Sequence, residues 1–213
     1  MHSNPKVQAL IELGEAHIST PWPQYPEQYG FDESDITDLI AVVCDEHFDI
    51  LDPKDPATWT PVHAWRTLGQ LRAEAAIDSL INSFDRFSGD DFAITELDKV
   101  MALIGPAAIS PLSEYLQREG EDQFAYAISM NSLAEIAMAF PSHRSEVLEM
   151  FRQYMRKPYP RYYELNGMVM GHLLDLDARE LIEDVRHMFS LECVDLSYVG
   201  DLEDVETEWG LRD

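Results

Sequence analysis

Apolar residues recur at helical spacing along most of the chain. The segment Lys6–Gly14 spaces its apolar residues three and four apart and ends in a glycine suited to a helix C-cap, so it predicts a short helix. Segment 31–48 opens with acidic residues and continues with an apolar stripe, which predicts a second helix. Between them, from Ser19 to Tyr29, three prolines alternate with aromatic residues. Because proline disfavours helix interiors and aromatic side chains favour burial, we predict an extended strap here, packed on the rest of the protein.

From Trp59 to Phe189 the chain repeats itself. Segments 71–84 and 103–116 match at a constant offset of 32 residues, a further copy at 176–189 lies 73 residues beyond the second, and a looser copy between them has a longer turn. Each copy reads as a helix, a tight turn and a second amphipathic helix. One such hairpin cannot cover its own apolar face, so neighbours must stack. The pattern predicts an all-α fold, an α-solenoid of stacked antiparallel helix hairpins with an N-terminal helical and extended cap. An ordinary helical bundle is the alternative.

The repeat also predicts a core and a division of the chain. We expect one structural domain, with an acidic N-terminal cap at 1–58, repeats at 59–189 and an acidic C-terminal cap at 190–213. Apolar residues spaced three and four apart near the end of the chain predict that this last cap is ordered and buries Trp209 and Leu211. The residues expected to be buried in the repeats are Leu68, Leu71, Ile77, Leu80, Leu103, Ile109, Leu112, Ile136, Leu176, Ile182 and Val185.

Two stretches carry a resemblance to known repeats. In AWRTLGQLRAEAAIDSL and LIGPAAISPL, the turn and the Ala-Ala-Ile helix that follows resemble the short HEAT-like repeats also seen in phycobilisome-lyase proteins. The whole chain, through GFDESDITDLI, PVHAWRTLGQL and VGDLEDVETEWGL, resembles a group of uncharacterised bacterial HEAT-repeat proteins. The resemblance implies a HEAT-like solenoid and no established activity. The lyase likeness leaves open a role in handling a bilin chromophore, which absorbance changes on adding bilin would reveal.

The charge of the chain narrows the class of partner. It has 40 acidic and 15 basic residues, a formal net charge of −25. Such a surface repels nucleic-acid phosphates and anionic lipid and attracts basic proteins. We therefore expect a protein partner with a basic surface, no direct nucleic-acid or membrane contact, and a monomer or weak homo-oligomer. Segments 27–55 and 190–213 hold much of the acidity. They are either docking sites or solvated capping faces, and an acidic mimic of nucleic acid, testable by competition with DNA, stays open.

Catalytic and targeting signatures are missing from the sequence. No two of the seven histidines stand four apart, and the nucleophile elbow, phosphate-binding loop and dinucleotide fingerprint do not occur. We expect no enzyme activity, no metal and no cofactor. His63 is expected to be a packed, hydrogen-bonded side chain, and Cys44 and Cys193 to be small buried residues. The first residues lack the features of a secretion signal, and the apolar runs are too short to span a bilayer, so we expect a cytoplasmic protein.

Two sets of residues are candidates for binding. The second helices of successive hairpins are expected to present acidic side chains to a basic partner: Asp78, Glu114, Glu146, Glu149, Glu183 and Asp184. The stretch FRQYMRKPYPRYY is basic, in contrast to the acidic chain around it, and it combines cations with tyrosines. This combination suits an anionic ligand. In the alternative interpretation, the stretch is the end of a helix followed by a loop, and its tyrosines pack into the next hairpin. The candidate anion-binding residues are Arg152, Arg156, Lys157, Arg161 and Tyr162.

Overall fold

Helices account for the architecture. A computed structural model describes residues 4–18 and 21–212, and these residues form α-helices and short 3-10 helices without any strand. The α-helices of this part of the chain are α1 (Pro5–Leu13), α2 (Tyr25–Tyr29), α3 (Ile36–Cys44), α4 (Thr60–Gln70), α5 (Ile77–Ile81), α6 (Phe84–Phe87), α7 (Asp91–Ile104), α8 (Ile109–Tyr115), α9 (Gln123–Ala139), α10 (Arg144–Arg156), α11 (Tyr163–Asp175), α12 (Ile182–Ser190) and α13 (Leu202–Glu208).

Four hairpins stack side by side. Their first helices are α4, α7, α9 and α11, each packed on the next, and their second helices are α5, α8, α10 and α12. Every second helix is entered through a three-residue 3-10 helix: Glu74–Ala76, Pro106–Ala108, Pro141–His143 and Arg179–Leu181. The all-α, solenoid-like architecture expected from the repeat is confirmed.

The first and fourth hairpins end their first helix with the same turn. Arg72 and Asp177, 105 residues apart, both have positive φ, 50° and 47°. In each case the next amide donates back to the carbonyl five residues earlier, Ala73 to Leu68 and Ala178 to Leu173. This is the hydrogen bond of a Schellman cap, which satisfies a carbonyl that the helix end would leave without a partner. The internal repeat therefore extends to the backbone of the turns.

The strap prediction is partly wrong. Ser19 and Thr20 lie outside the described residues, and Tyr25–Tyr29 is the short helix α2 and not extended chain. Pro26 stands in its first turn, where the backbone N–H has no helical acceptor and proline costs nothing. The packing prediction is right, because Tyr25 is buried and Trp22 packs on the core.

The expected core is largely correct, with one residue outside it. Leu71 and Ile182 are only partly buried, and Leu103 is 39% exposed. Leu103 lies inside α7, whereas its counterpart Leu71 caps the end of α4, so the two residues do not face alike. Ile104 takes the buried place at the end of α7.

The C-terminal segment is an ordered cap, as predicted. Trp209 is buried after α13, but the prediction for Leu211 is wrong, since this residue is 48% exposed. Gly210, with φ 66°, turns the chain away from the core between them. Cys193 is buried as expected, whereas Cys44, the last residue of α3, is exposed and that prediction is wrong.

Candidate functional site

The predicted acidic surface on the second helices divides into two parts. Asp78 and Glu114 are exposed, and neither forms an ion pair within the described residues. Towards the C-terminus the carboxylates have partners: Arg186 Nη1 lies 2.7 Å from Glu183, and the imidazole Nδ1 of His143 lies within hydrogen-bond distance of Glu146, at 3.1 Å. Among the described residues, Asp78 and Glu114 are the members of this surface that have neither an ion-pair partner nor an imidazole partner.

The cations of the basic-aromatic stretch also fall into two groups. Arg152 lies between Glu149, at 2.7 Å, and Asp184, at 3.3 Å, and Arg156 also reaches Asp184, at 3.6 Å. These arginines join α10 to α12 and neutralise acidic candidates of the other set. Lys157 and Arg161 instead border a cleft of about 660 Å³ next to the loop after α10. The stretch therefore holds both a structural bridge and a cationic cleft.

Its tyrosines pack as the alternative interpretation expected. The Tyr162 hydroxyl donates to the carbonyl of Glu121, and Tyr159 stacks on Tyr126 with ring centres 5.1 Å apart. Tyr162 is therefore partly buried against the preceding hairpin, and it also receives a 2.8 Å hydrogen bond from Arg161.

A buried ion pair links the strap to the first two hairpins. Arg66 on α4 and Glu96 on α7 are 2% and 1% exposed, and Arg66 Nε donates to Glu96 Oε2 at 2.7 Å. The indoles of Trp22 and Trp65 also donate to this carboxylate, at 3.2 and 3.4 Å. Burial alone would lower the pKa of Arg66, but the hydrogen bond and charge of Glu96 outweigh it and the pKa is raised. The pair is charged and buried, and its hydrogen-bonding groups are engaged with each other and with the two indoles, so we assign it a structural role.

His63 continues this network towards the N-terminal helix, and its expected packed role is confirmed. Its Nδ1 lies 2.6 Å from the hydroxyl of Tyr25, and its Nε2 lies 2.8 Å from the carbonyl oxygen of Gly14. Burial lowers the pKa of His63 and raises that of Tyr25 to about 12, so both side chains are neutral near pH 7. With both ring nitrogens engaged, His63 fastens α1 and the strap to α4.

A different set of polar residues lies on the first helices of the hairpins. We call the surface formed by Asp98 of α7, Asn131 and Glu135 of α9, and His172 and Asp175 of α11 the first-helix face; all but exposed Asp175 are partly buried. Burial, with a further contribution from the charge of Glu135, raises the pKa of Asp98 from 3.8 to about 6. Neither Asp98 nor Glu135 forms an ion pair in the described part of the chain.

The histidine of this face is held neutral. His172 Nε2 lies 2.7 Å from Asn131 Oδ1, and burial lowers the pKa of the ring to about 4, although the charge of Asp175 opposes the change. The face therefore presents carboxylates without a compensating imidazolium at neutral pH. Sequence reasoning missed it because single polar residues on three helices, far apart in the chain, give no local signal.

A comparison with protein families accounts for most of the chain. A family model described as "Protein of unknown function (DUF1186)" matches residues 35–213. The chain belongs to this family. The family match includes Glu96, Asp98, Glu135, Lys157 and Arg161, and it begins after α1 and the strap. No curated protein and no solved structure matches the chain.

Two further observations concern metals and membranes. Residues 4–18 and 21–212 contain no group of three or more histidine, cysteine, aspartate or glutamate side chains placed to hold a metal ion. In the same residues, no helix combines the length and the apolar character needed to cross a bilayer. The expected absence of metal and cofactor stays a prediction.

Proposed function

We propose that this protein is a non-catalytic interaction module of HEAT-like hairpins, and that its acidic first-helix face binds a protein partner through lysine or arginine side chains. The observation that carries the proposal is the raised pKa of Asp98 beside Glu135. The proposal assigns the acidic partner surface to the first helices and not to the second helices, because arginines compensate much of the charge on the second helices.

The energetic argument concerns the charged form of Asp98. A carboxylate whose pKa rises from 3.8 to about 6 is destabilised when ionised, by on the order of 2 kcal/mol after allowance for its partial exposure. At pH 7 most of this group is nevertheless ionised. A cation from a partner would remove that penalty. Desolvated, perturbed groups that serve no purpose in the fold are a recognised sign of a functional surface.

The surroundings of the pair favour a partner with apolar as well as basic side chains. Met138, one turn after Glu135 on α9, is 42% exposed. An amphipathic segment that carries lysines beside apolar residues would match both features, and partner helices commonly dock in this way.

Binding of a fluorescein-labelled, lysine-rich amphipathic peptide tests the proposal, with fluorescence anisotropy measured in 0.15 M salt. The variant Asp98→Asn/Glu135→Gln keeps the side-chain shapes and removes both charges. We expect it to weaken peptide binding about tenfold, which corresponds to about 1.4 kcal/mol.

The matched control is Asp78→Asn/Glu114→Gln, which makes the same change in net charge on the second helices. Because these exposed carboxylates are well solvated, we expect less than about a twofold effect. Equal weakening by the two variants would mean that the peptide responds to overall acidity, and the first-helix face would lose its assignment.

A further inference from the structure

The cleft of about 660 Å³ lies between two hairpins, on the side of the molecule where α8 and α10 end. Leu116 and Gln117 border it on one side, Met150 and Gln153 on another, and the loop after α10 closes it. This volume is in the range of small-molecule sites, and the wall mixes apolar with charged and hydrogen-bonding side chains, which suits an amphipathic ligand. The cleft therefore has the size and the chemistry of a ligand pocket.

Within residues 4–18 and 21–212, the two cations of the cleft have no carboxylate partner. Nine of the fifteen basic side chains pair with a carboxylate within 4.0 Å. Lys157 and Arg161 do not, in the part of the chain that the structure describes, although 40 acidic residues compete for cations. Glu119 is the one carboxylate in the wall of the cleft. The cleft keeps a net positive charge on a strongly negative protein.

The two tyrosines in the wall of the cleft use their hydroxyl groups in hydrogen bonds to other residues of the protein. The hydroxyl of Tyr154 donates to Asn166 Oδ1 at 2.6 Å, and that of Tyr159 donates to the carbonyl of Arg118 at 3.1 Å. The two rings contact each other with centres 6.2 Å apart. Since the hydroxyls are engaged, these tyrosines offer the cleft their rings, on fixed positions suited to a planar apolar group.

The loop between the two cations is stiff. Pro158 and Pro160 flank Tyr159, and each proline fixes its own φ and restricts the residue before it. The side chain of Arg161 is held by a cation–π contact, in which its guanidinium lies 4.7 Å from the centre of the Tyr162 ring. Little conformational entropy is lost when a ligand engages Arg161, whose guanidinium is already positioned, so binding is favoured.

We infer that this cleft binds a small organic anion, in which a planar apolar body lies against Tyr154 and Tyr159 and a carboxylate, sulfonate or phosphate group lies between Lys157 and Arg161. This second site is independent of the first-helix face, and it gives a role to Lys157 and Arg161, which have no carboxylate partner among the described residues.

The probe for this site is 8-anilinonaphthalene-1-sulfonate, an anion with a planar naphthalene ring, whose fluorescence rises when it leaves water. We expect one equivalent to bind per chain. The variant Lys157→Gln/Arg161→Gln should weaken binding about tenfold, whereas Lys54→Gln/Lys99→Gln, which makes the same charge change at two exposed lysines elsewhere, should leave it within about twofold. Equal effects of the two variants, or several equivalents bound without saturation, would overturn the assignment.

Two further measurements separate binding from damage to the fold. Glu119→Gln removes the carboxylate from the wall and should tighten binding about two- to fivefold while one equivalent is still bound per chain. A partly unfolded chain would instead bind several equivalents of the dye without saturation. N-phenyl-1-naphthylamine, which lacks the sulfonate, should bind wild type and Lys157→Gln/Arg161→Gln alike. If loss of the two cations weakens this neutral compound as much as the sulfonate, the anion site is refuted.

Discussion

Replacing Glu96 by glutamine isolates the charge of the buried ion pair. Glutamine has the shape of glutamate and can still accept one hydrogen bond, so the packing around α7 is kept. What the variant loses is the negative charge beside Arg66, whose guanidinium is 2% exposed and has no other carboxylate partner among the described residues. The folded protein would then hold a buried cation without a counter-charge, while the unfolded chain would solvate it.

The expected loss in the free energy of unfolding is large. Removing one partner of a buried ion pair costs about 3–5 kcal/mol, because the remaining charge stays desolvated. Two indole N–H groups, of Trp22 and Trp65, also lose a charged acceptor. This loss measures the cost of leaving Arg66 buried without a counter-charge, and not the net contribution of the ion pair to the free energy of unfolding. Replacing both partners by apolar residues, as in Arg66→Met/Glu96→Leu, should therefore cost less than Glu96→Gln alone.

Urea denaturation at pH 7, followed by far-ultraviolet circular dichroism, gives the free energy of unfolding for each variant. The control is Glu180→Gln, which breaks an ion pair with Arg144 whose side chains are 29% and 48% exposed. We expect a loss below about 1 kcal/mol there. If Glu96→Gln destabilises the protein no more than Glu180→Gln, the buried pair does not hold the strap and the first hairpins together as argued.

Three other perturbations have definite expected outcomes. Because burial and Glu135 raise the pKa of Asp98 from 3.8 to about 6, the folded state loses stability as the pH rises through this range; Asp98→Asn should raise the melting temperature at pH 7 and have a much smaller effect near pH 4. A Cβ at Gly167 would lie 2.8 Å from the carbonyl oxygen of Asp195, so Gly167→Ala should cost about 1–3 kcal/mol in urea melts, whereas Gly171→Ala, where the nearest atom is 3.9 Å away, should be neutral or stabilising. Deleting the chain from Ser197 onwards removes the buried Trp209 and should lower the melting temperature by several degrees; equal midpoints would show a free tail.

Much of the local structure could be predicted from the sequence, because its causes are local. The spacing of apolar residues determined the helices and hairpins, and the constant offset between copies determined that neighbouring hairpins stack. The errors also have local causes. Proline disfavours helix interiors but is tolerated in the first turn, where Pro26 of α2 stands. The position that matches Leu71 in the repeat predicts that Leu103 faces the core, but α7 continues through Leu103 whereas α4 ends before Leu71.

The candidate sites depended on contacts that no local pattern contains. Asp184 is neutralised by Arg152, 32 residues earlier, whereas Asp98 meets another carboxylate, Glu135, from the next hairpin. A count of charges treats these two aspartates alike. The sequence by itself determined which residues are charged and which helix carries them, since periodicity and capping act within a few residues. Only the tertiary structure decided which carboxylates have a cation, because burial and the distance between charges on neighbouring hairpins set the energy of each ionised group.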